Sequence, residues 1–345
     1  MPVRRPCVHE VDSSRRPPVV VTGGAGYVGS VLVRRLLDRD QPVRVLDNFL
    51  FGDASLADCA RDPRLSIQRG DVRDREALAR AFAGAAAVVH LAGLVGDPLC
   101  ALDPAYTRAV NEESSVPVAD AARDLGVPRL VFASTCSVYG ASGDDWLDED
   151  SRTAPVSLYA ETNLRSEEIL RTRLTGSDTA LTVLRFATIY GTSPRMRFDL
   201  VVNLLTARAR ATGRLEVHGG DQWRPQVHVD DVGLACALAL EPAPAEAAGT
   251  YNVGSDEQNF RIRELAEAIA AAFPGTRLAI EDVKDPRSYR VSFRRLASRF
   301  GFRPQHSLEQ GVREIAAYLE RERVDADEAR FHNVRALNGH REVSK

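Results

Sequence analysis

A cluster of glycines near the start of the chain constrains its fold more than any other feature. A β-branched run ends at Thr22, and four glycines follow within the next seven residues: Gly23, Gly24, Gly26 and Gly29. The amphipathic residues 30–39 come next, so the pattern predicts a strand, a tight turn and a helix. Glycines at such a turn let the backbone approach a pyrophosphate closely, while the N-terminus of the helix offers free N–H groups to the anion. We therefore expect a dinucleotide-binding turn.

A second apolar strand, residues 42–47, ends in an acidic residue. Asp47 lies about 20 residues beyond the turn, where a carboxylate can hydrogen-bond the adenosine ribose hydroxyls. No arginine directly follows Asp47, so a 2′-phosphate would meet repulsion without compensation. These features predict NAD rather than NADP as the cofactor. The alternative is a structural glycine turn with a solvent-facing Asp47.

Strands and helices alternate along the first half of the chain. Near-continuous Val/Leu runs between amphipathic helices are typical of a parallel sheet that is covered on both faces. The pattern predicts an α/β protein, with a Rossmann-type doubly wound parallel sheet and a smaller C-terminal α/β substrate-binding lobe. The expected bounds are 1–17 for a flexible N-terminal tail, 18–190 for the NAD-binding domain with 225–250 returning to it, 191–224 and 251–322 for the lobe, and 323–345 for a polar C-terminal tail. We expect the C-terminal tail to be disordered or only loosely docked.

Composition narrows the class of protein. A net charge of −3 over 345 residues gives no reason to expect nucleic acid or an anionic membrane as a partner. The five cysteines are scattered and form no C-x-x-C pair, and the histidines show no metal-ligand spacing, so neither a disulfide framework nor a metal site is expected. Residues 1–17 lack the apolar core of a signal peptide, and no apolar run reaches the ~20 residues that span a bilayer. We expect a cytoplasmic protein.

Hydroxyl-bearing side chains follow the predicted strand 129–134, at the sheet edge where ligands of doubly wound folds bind. This strand ends in Ser134 and Thr135, and Tyr159 opens the next predicted helix. A tyrosine and a Ser/Thr hydroxyl beside a nicotinamide are the arrangement for hydride transfer at a carbinol. The tyrosine takes the alcohol proton, and the second hydroxyl orients the same oxygen.

Together these segments resemble the extended short-chain dehydrogenase/reductase family, in its nucleotide-sugar epimerase/dehydratase branch. The resemblance covers residues 18–320. Its motifs are the turn at 22–29, Gly70-Asp71-Val72-Arg73-Asp74, His90-Leu91-Ala92-Gly93, residues 134–140, the Tyr159 helix, residues 184–191 and residues 224–231. It implies an NAD-dependent enzyme acting on a nucleotide-diphosphate sugar, with Tyr159 as acid/base and Thr135 at the catalytic Ser/Thr position. It also implies a homodimer built from the helices near residues 112–125 and 158–173.

The resemblance further implies a set of binding residues. Those implied for the cofactor are Gly23, Gly26, Tyr27, Val28, Gly29, Asp47, Asn48, Asp71, Val72, Leu91, Ala92, Gly93, Asn111, Ser134, Tyr159, Asn163 and Phe186. Those implied for the substrate are Thr135, Cys136, Arg197, Asn203, Arg224 and Arg287. An arginine suits the diphosphate because its planar fork binds phosphate oxygens bidentately. Residues 94–97 and 195–198 are expected to line the sugar pocket.

One catalytic position departs from the family pattern, which is Tyr-x-x-x-Lys. Asn163 stands where the lysine is expected, one helical turn after Tyr159. Asparagine can hydrogen-bond the nicotinamide ribose, but it has no charge to favour the tyrosinate, whose ordinary pKa is about 10. Three explanations stay open: a slow or differently activated enzyme, a non-redox binding protein, or a deliberate replacement of lysine that traps substrate.

A second departure concerns the type of reaction. Family members that expel water from a hexose carry an acidic pair after the strand-end threonine, and here Cys136 and Ser137 replace it. This favours an NAD-dependent epimerase that works through a transient keto-sugar. Cys136 is interpreted as a buried, inert residue, with an acid/base role for its thiol as the alternative. A dehydratase or oxidoreductase of the same family, and a non-catalytic NAD-binding protein, are the alternative functions.

Overall fold

The computed structural model describes residues 16–281, 283 and 287–343. Its strands are β1 (Val19–Thr22), β2 (Val43–Asp47), β3 (Leu65–Arg69), β4 (Ala87–His90), β5 (Arg129–Thr135), β6 (Ala141–Leu147), β7 (Ala180–Phe186), β8 (Thr188–Tyr190), β9 (Arg214–His218), β10 (Trp223–His228), β11 (Gly249–Val253), β12 (Asn259–Arg261), β13 (Arg277–Glu281) and β14 (Ser288–Val291). Its helices are α1 (Tyr27–Leu37), α2 (Arg75–Phe82), α3 (Asp97–Leu102), α4 (Pro104–Thr107), α5 (Ser115–Asp124), α6 (Leu158–Leu174), α7 (Val201–Thr212), α8 (Val229–Leu238), α9 (Pro244–Ala247), α10 (Ile262–Ala272), α11 (Arg294–Phe300), α12 (Leu308–Glu322) and α13 (Asn333–Val343).

Seven parallel strands form the central sheet, in the order β11-β7-β5-β4-β1-β2-β3. The chain winds outward from β1 in one direction through β2 and β3, and then in the other direction from β4. This reversal leaves a crevice beyond the carboxyl ends of β1 and β4, which is where doubly wound sheets bind ligands. The predicted Rossmann-type sheet is confirmed.

Helices cover both faces of the inner strands of the sheet. Successive side chains of a strand point to opposite faces, so each inner strand contributes to both hydrophobic clusters. Val19 and Val21 of β1 pack towards α1 and α8, whereas Val20 packs towards α2, α5 and α6. All four residues of β1 are buried. A strand enclosed on both faces reads as a continuous apolar run, which explains why the sequence pattern predicts it well.

A further hydrophobic cluster lies in the C-terminal half of the chain. It joins α7, α10 and α12 to β9 and β13, with Leu205, Leu265 and Ile315 at its centre. Two smaller sheets, β12-β10-β8 and β14-β6, are formed by strands of the same half of the sequence, except that β6 comes from the N-terminal half. This is where the sequence predicts the smaller lobe; the predicted domain bounds stay predictions.

The C-terminal segment differs from expectation. The segment includes α13, and the side chains described between residues 323 and 338 include several that pack against the rest of the protein rather than being disordered. Phe331 is 6% exposed and packs edge-on against Phe198, with 5.3 Å between the ring centroids. Leu337 is buried against Leu94 and Leu99. A few apolar residues therefore anchor this segment. The sequence prediction missed them because the segment as a whole is polar. Of the predicted tails, residues 1–15 and 344–345 lie outside the described residues.

Within the part of the chain that the structure describes, no helix is long and apolar enough to cross a bilayer. The same residues contain no cluster of His, Cys, Asp and Glu side chains that could hold a metal ion.

Candidate active site

A cavity of about 340 Å³ lies at the carboxyl edge of the central sheet. The glycine turn after β1, the ends of β2, β4 and β5, and the start of α6 all contribute to its lining. The 17 residues expected to contact the cofactor all lie on this lining: Gly23, Gly26, Tyr27, Val28, Gly29, Asp47, Asn48, Asp71, Val72, Leu91, Ala92, Gly93, Asn111, Ser134, Tyr159, Asn163 and Phe186. The structure thus brings together residues that are far apart in the sequence.

The turn after β1 needs glycine for two separate reasons. Gly23 has a φ of +71°, and a Cβ there would lie 2.8 Å from the backbone of Ala92 in the neighbouring loop. A Cβ on Gly29 would lie 2.2 Å from the carbonyl oxygen of Gly23. The glycines therefore let α1 begin directly against the end of β1. No side chain caps the N-terminus of α1, so its first N–H groups are available to an anion.

Asp47 fixes the turn from the next strand. Its Oδ2 accepts a 2.9 Å hydrogen bond from the backbone N–H of Ala25, and its Oδ1 accepts one of 2.7 Å from Phe49. Burial raises the pKa of Asp47 above its ordinary value, and these backbone hydrogen bonds oppose that rise. Each oxygen keeps a further lone pair, so the carboxylate could also accept from ribose hydroxyls.

Asn111 organises the opposite wall of the cavity. It lies in a π-helical turn, Arg108–Glu113, just before α5, so the helix predicted over 112–125 is irregular at its start. Its Oδ1 accepts from the N–H of Leu94 at 2.7 Å, and its Nδ2 donates to the carbonyl of Leu94 at 2.8 Å. The side chain therefore holds the loop after β4, whose residues Leu94, Val95 and Gly96 line the cavity.

The expected catalytic pair meets on this cavity. Thr135 ends β5, Tyr159 is the second residue of α6, and both residues line the cavity. Burial raises the pKa of the Tyr159 phenol above its usual 10, and the Thr135 hydroxyl and the charge of Arg197 act in the opposite direction. Thr135 Oγ1 also donates to Ser137 Oγ at 3.1 Å. The Tyr159 phenol and the Thr135 hydroxyl thus belong to the same part of the cavity lining.

Asn163 lies one turn after Tyr159 in α6 and lines the same cavity. Its side chain is buried, and Nδ2 donates a 2.8 Å hydrogen bond to the Tyr159 carbonyl. Both lysines of the chain, Lys284 and Lys345, lie outside the described residues. The charged nitrogens on the described lining are those of Arg195 and Arg197.

The expected substrate-binding residues divide into two groups. Thr135 and Arg197 line the cavity, whereas Cys136, Asn203, Arg224 and Arg287 do not. Cys136 does not reach the lining, and the expectation that it contacts substrate stays a prediction. Its thiol is fully buried and donates to the carbonyl of Arg185 at 3.2 Å, and burial raises its pKa. This geometry supports the inert interpretation.

The side-chain amide of Asn203 binds protein groups, and the expectation that it contacts substrate stays a prediction. Its Oδ1 accepts from the N–H of Gly191 at 3.0 Å, and its Nδ2 donates to the Arg197 carbonyl at 2.8 Å and to the Tyr27 hydroxyl at 3.2 Å. The fully buried amide is thus occupied by the protein itself. It shapes the segment 191–197, part of which lines the cavity.

Arg224 and Arg287 lie together, next to the cavity rather than on its lining. The Nη1 of Arg224 donates to the carbonyl oxygen of Arg287, and Arg287 forms an ion pair with Asp97. The Arg224 guanidinium stacks 5.4 Å from the ring of Tyr289, whose hydroxyl lies 3.2 Å from Ser137 Oγ on the lining. A single hydrogen-bonded layer therefore separates these arginines from the cavity.

The lining also contains residues outside the set expected to contact cofactor or substrate, among them Phe51, Arg195 and Asn333. Arg195 falls within residues 195–198, which are expected to line the sugar pocket. Asn333 begins α13, and its N–H donates to Asp199 Oδ2 at 2.9 Å. No sequence motif marks Asn333, because it belongs to a segment read as a loose tail.

Comparison with known proteins places these features in a family. The model of the NAD dependent epimerase/dehydratase family matches residues 19–254. UDP-glucose 4-epimerase of Bacillus subtilis is 30% identical over 275 residues, which cover 72% of this chain and 80% of that protein. A dTDP-glucose 4,6-dehydratase of Actinoplanes is 29% identical, with 87% of this chain and 97% of that protein covered.

Solved structures give the same result. MoeE5 in complex with UDP-glucuronic acid and NAD superposes with a TM-score of 0.76 at 28% identity, covering 88% of this chain and 99% of that one. UDP-glucose 4-epimerase of Thermus thermophilus in complex with NAD gives a TM-score of 0.74 at 28% identity, with the same coverage. The expected fold is confirmed, and NAD is confirmed as the cofactor of the family. The chain belongs to the NAD dependent epimerase/dehydratase family of enzymes.

Proposed function

We propose that this protein is an NAD-dependent nucleotide-sugar epimerase, in which Tyr159 is the acid/base and Thr135 orients the reacting hydroxyl. The observation that carries the proposal is that Thr135 and Tyr159 line the same cavity as the glycine turn and Asp47. The alternative of a structural glycine turn with a solvent-facing Asp47 loses support, since the carboxylate is hydrogen-bonded to the turn itself.

The residues of the cavity fit a dinucleotide. The uncapped N-terminus of α1 could bind the pyrophosphate of the dinucleotide. Asp47 could accept hydrogen bonds from the adenosine ribose, and Asn163 could bind the nicotinamide ribose. NAD held there would supply the acceptor for a hydride from the sugar carbon and the donor for its return. Tyr159 takes the proton of the sugar hydroxyl and later gives it back, while Thr135 holds the same oxygen in place. The keto-sugar must turn over within the cavity between these two proton transfers.

The acid groups of the cavity favour epimerisation over dehydration. On the described lining the carboxylates are Asp47 and Asp71, which follow β2 and β3 at the adenosine end. Beside Thr135 the chain has Cys136, buried away from the cavity, and Ser137. Neither supplies the acid/base pair needed to expel water from the hexose. An epimerisation needs only the phenol and the cofactor.

The substrate we propose is a nucleotide-diphosphate sugar, with UDP-hexoses as the first candidates because several relatives are UDP-glucose 4-epimerases. Arg197 lines the cavity and could contact the sugar or its phosphates. Arg224 and Arg287 lie one layer behind Ser137, and rotation of their side chains would bring two guanidinium groups to a diphosphate.

A non-catalytic NAD-binding protein is the second candidate function, and one observation favours it. Asn163 supplies no cation beside Tyr159, whose pKa is raised by burial. Incubation of the purified protein with UDP-glucose and with UDP-galactose separates the two candidates. An epimerase interconverts them and loses this activity in the Tyr159→Phe variant, which keeps its NAD. A binding protein retains NAD and converts neither sugar, whereas a net oxidoreductase consumes added NAD.

We also propose a homodimer in the cytoplasm. The helices implied for the dimer, α5 and α6, pack side by side on one face of the sheet, and Leu125 is exposed at the end of α5. The described cysteines are free thiols, which suits a reducing compartment. Light scattering on the purified protein tests the dimer: twice the mass of one chain is expected, and the mass of a single chain would refute it.

A further inference from the structure

Arg195 is a buried charge without a partner on the wall of the candidate active site. Arg195 is 8% exposed, and its Nη1 and Nη2 atoms are buried without a hydrogen-bond partner among the described residues. These two nitrogens have lost their water without gaining a hydrogen-bond acceptor from the described residues. A ligand bound in the cavity could supply the hydrogen-bond acceptor that the Arg195 guanidinium lacks.

The Arg195 side chain is held in place rather than free to turn to solvent. Its guanidinium stacks 4.6 Å from the ring of Phe51, which also lines the cavity. Arg197, the other cation of the lining, already has a partner, because its Nε donates to Asp199 Oδ1 at 2.8 Å. Burial, with the like charge of Arg197 as a second cause, lowers the pKa of Arg195 to about 10, so the group is still charged at neutral pH.

The backbone of Arg195 is tied to the first turn of α1. Its N–H donates to Ser193 Oγ at 3.2 Å, and Ser193 Oγ donates to the Tyr27 carbonyl at 2.7 Å and lies 3.1 Å from Ser30 Oγ. The Tyr27 hydroxyl in turn donates to the carbonyl of Gly191 at 2.6 Å. The segment that carries Arg195 is therefore positioned by the same helix terminus that offers its N–H groups to an anion.

We propose that Arg195 binds a phosphate of the dinucleotide, opposite the N-terminus of α1, and so adds a charged clamp to the glycine turn. A bidentate guanidinium–phosphate contact would satisfy both unpartnered nitrogens at once. This rests on the proposed function only in its choice of nucleotide ligands. The other source of the same chemistry is the diphosphate of the sugar nucleotide, since residues 195–198 are expected to line the sugar pocket.

The test compares Arg195→Gln, which removes the charge, and Arg195→Lys, which keeps the charge without the planar fork. Arg313→Gln is the control, since Arg313 is exposed on α12 and does not line the cavity. NAD retained on purification is quantified after denaturation, and NAD-free protein is then titrated by calorimetry, first with NAD and then, once loaded, with UDP. Melting of the NAD-free proteins shows whether each variant is folded.

We expect Arg195→Gln to bind NAD at least tenfold more weakly than wild type, with Arg195→Lys between the two and Arg313→Gln unchanged. UDP affinity should change by less than about twofold, and the NAD-free Arg195→Gln protein should melt no lower than wild type, because an uncompensated buried charge has been removed. Unchanged NAD affinity in Arg195→Gln overturns the proposal, and so does a loss confined to UDP. A wild type that binds NAD but converts no sugar would refute the epimerase function and leave this test intact.

Discussion

The Nδ2 atom of Asn163 donates a 2.8 Å hydrogen bond to the carbonyl oxygen of Tyr159, one helical turn earlier in α6. The amide is therefore directed partly to its own helix, and it brings no charge to the phenol. Burial meanwhile raises the pKa of Tyr159. The phenol that we propose as the base is thus held in its protonated form at neutral pH more firmly than it would be beside a lysine.

The variant Asn163→Lys should increase turnover at neutral pH. A cation near the phenol favours the tyrosinate, and each unit by which the pKa falls gives about tenfold more base. Because the base is the deprotonated form, turnover should rise with pH in both proteins, and the rise should occur at lower pH in Asn163→Lys. The measurement is the pH profile of kcat. Asn163→Gln, which keeps an amide, should show no such shift; unchanged or reduced kcat in Asn163→Lys contradicts the account.

Removal of the Thr135 hydroxyl should impair the reaction without affecting the cofactor. In Thr135→Val the sugar hydroxyl loses one of its two proposed anchors, and we expect kcat to fall about 100-fold. Thr135→Ser keeps the hydroxyl and should retain most activity. NAD content should match wild type in both. Equal kcat in the valine and serine variants would show that Thr135 does not orient the substrate.

The two alanine variants Gly29→Ala and Gly26→Ala should differ in severity. At Gly29 the new Cβ would lie 2.2 Å from the Gly23 carbonyl oxygen, whereas at Gly26 the distance is 3.1 Å. Alanine gains about 1 kcal/mol of helix propensity over glycine, but the clash at Gly29 outweighs it. We expect Gly29→Ala to lower the free energy of unfolding by at least about 2 kcal/mol and Gly26→Ala by about 1 kcal/mol. Urea unfolding checks the order; the reverse order would mean that α1 is packed differently.

The C-terminal segment should contribute to stability. Phe331 is buried against Phe198, so Phe331→Ala should cost about 3 kcal/mol in the free energy of unfolding. Arg335→Ala, on the exposed side of the same segment, should change it by less than about 0.5 kcal/mol. Denaturant unfolding of both variants is the measurement. A loss below about 1 kcal/mol for Phe331→Ala would mean that the segment is loosely docked, as its polarity suggested.

The sequence predicts those parts of the molecule whose structure is determined by a short stretch of neighbouring residues. The glycine turn, Asp47 at a strand end and Tyr159 near a helix start each carry their own pattern, and all lie on one cavity. Asn203 matches a position of the family motif and Cys136 replaces an acidic residue of it, but the surroundings of both side chains depend on which neighbours use their hydrogen-bonding groups. Those neighbours, Gly191 and Arg185 among them, are set by tertiary packing. Asn333 reaches the cavity only because distant apolar residues anchor α13, which no local pattern shows.

The most direct test of the account uses UDP-glucose that carries deuterium at C4 of the hexose, followed by NMR of the product. We predict that the wild-type protein forms UDP-galactose with the deuterium retained at C4 and with no net consumption of NAD. Asn163→Lys should form it faster, and Tyr159→Phe should form none. Loss of the label to solvent, a net reduction of NAD, or conversion that persists in Tyr159→Phe would contradict the account.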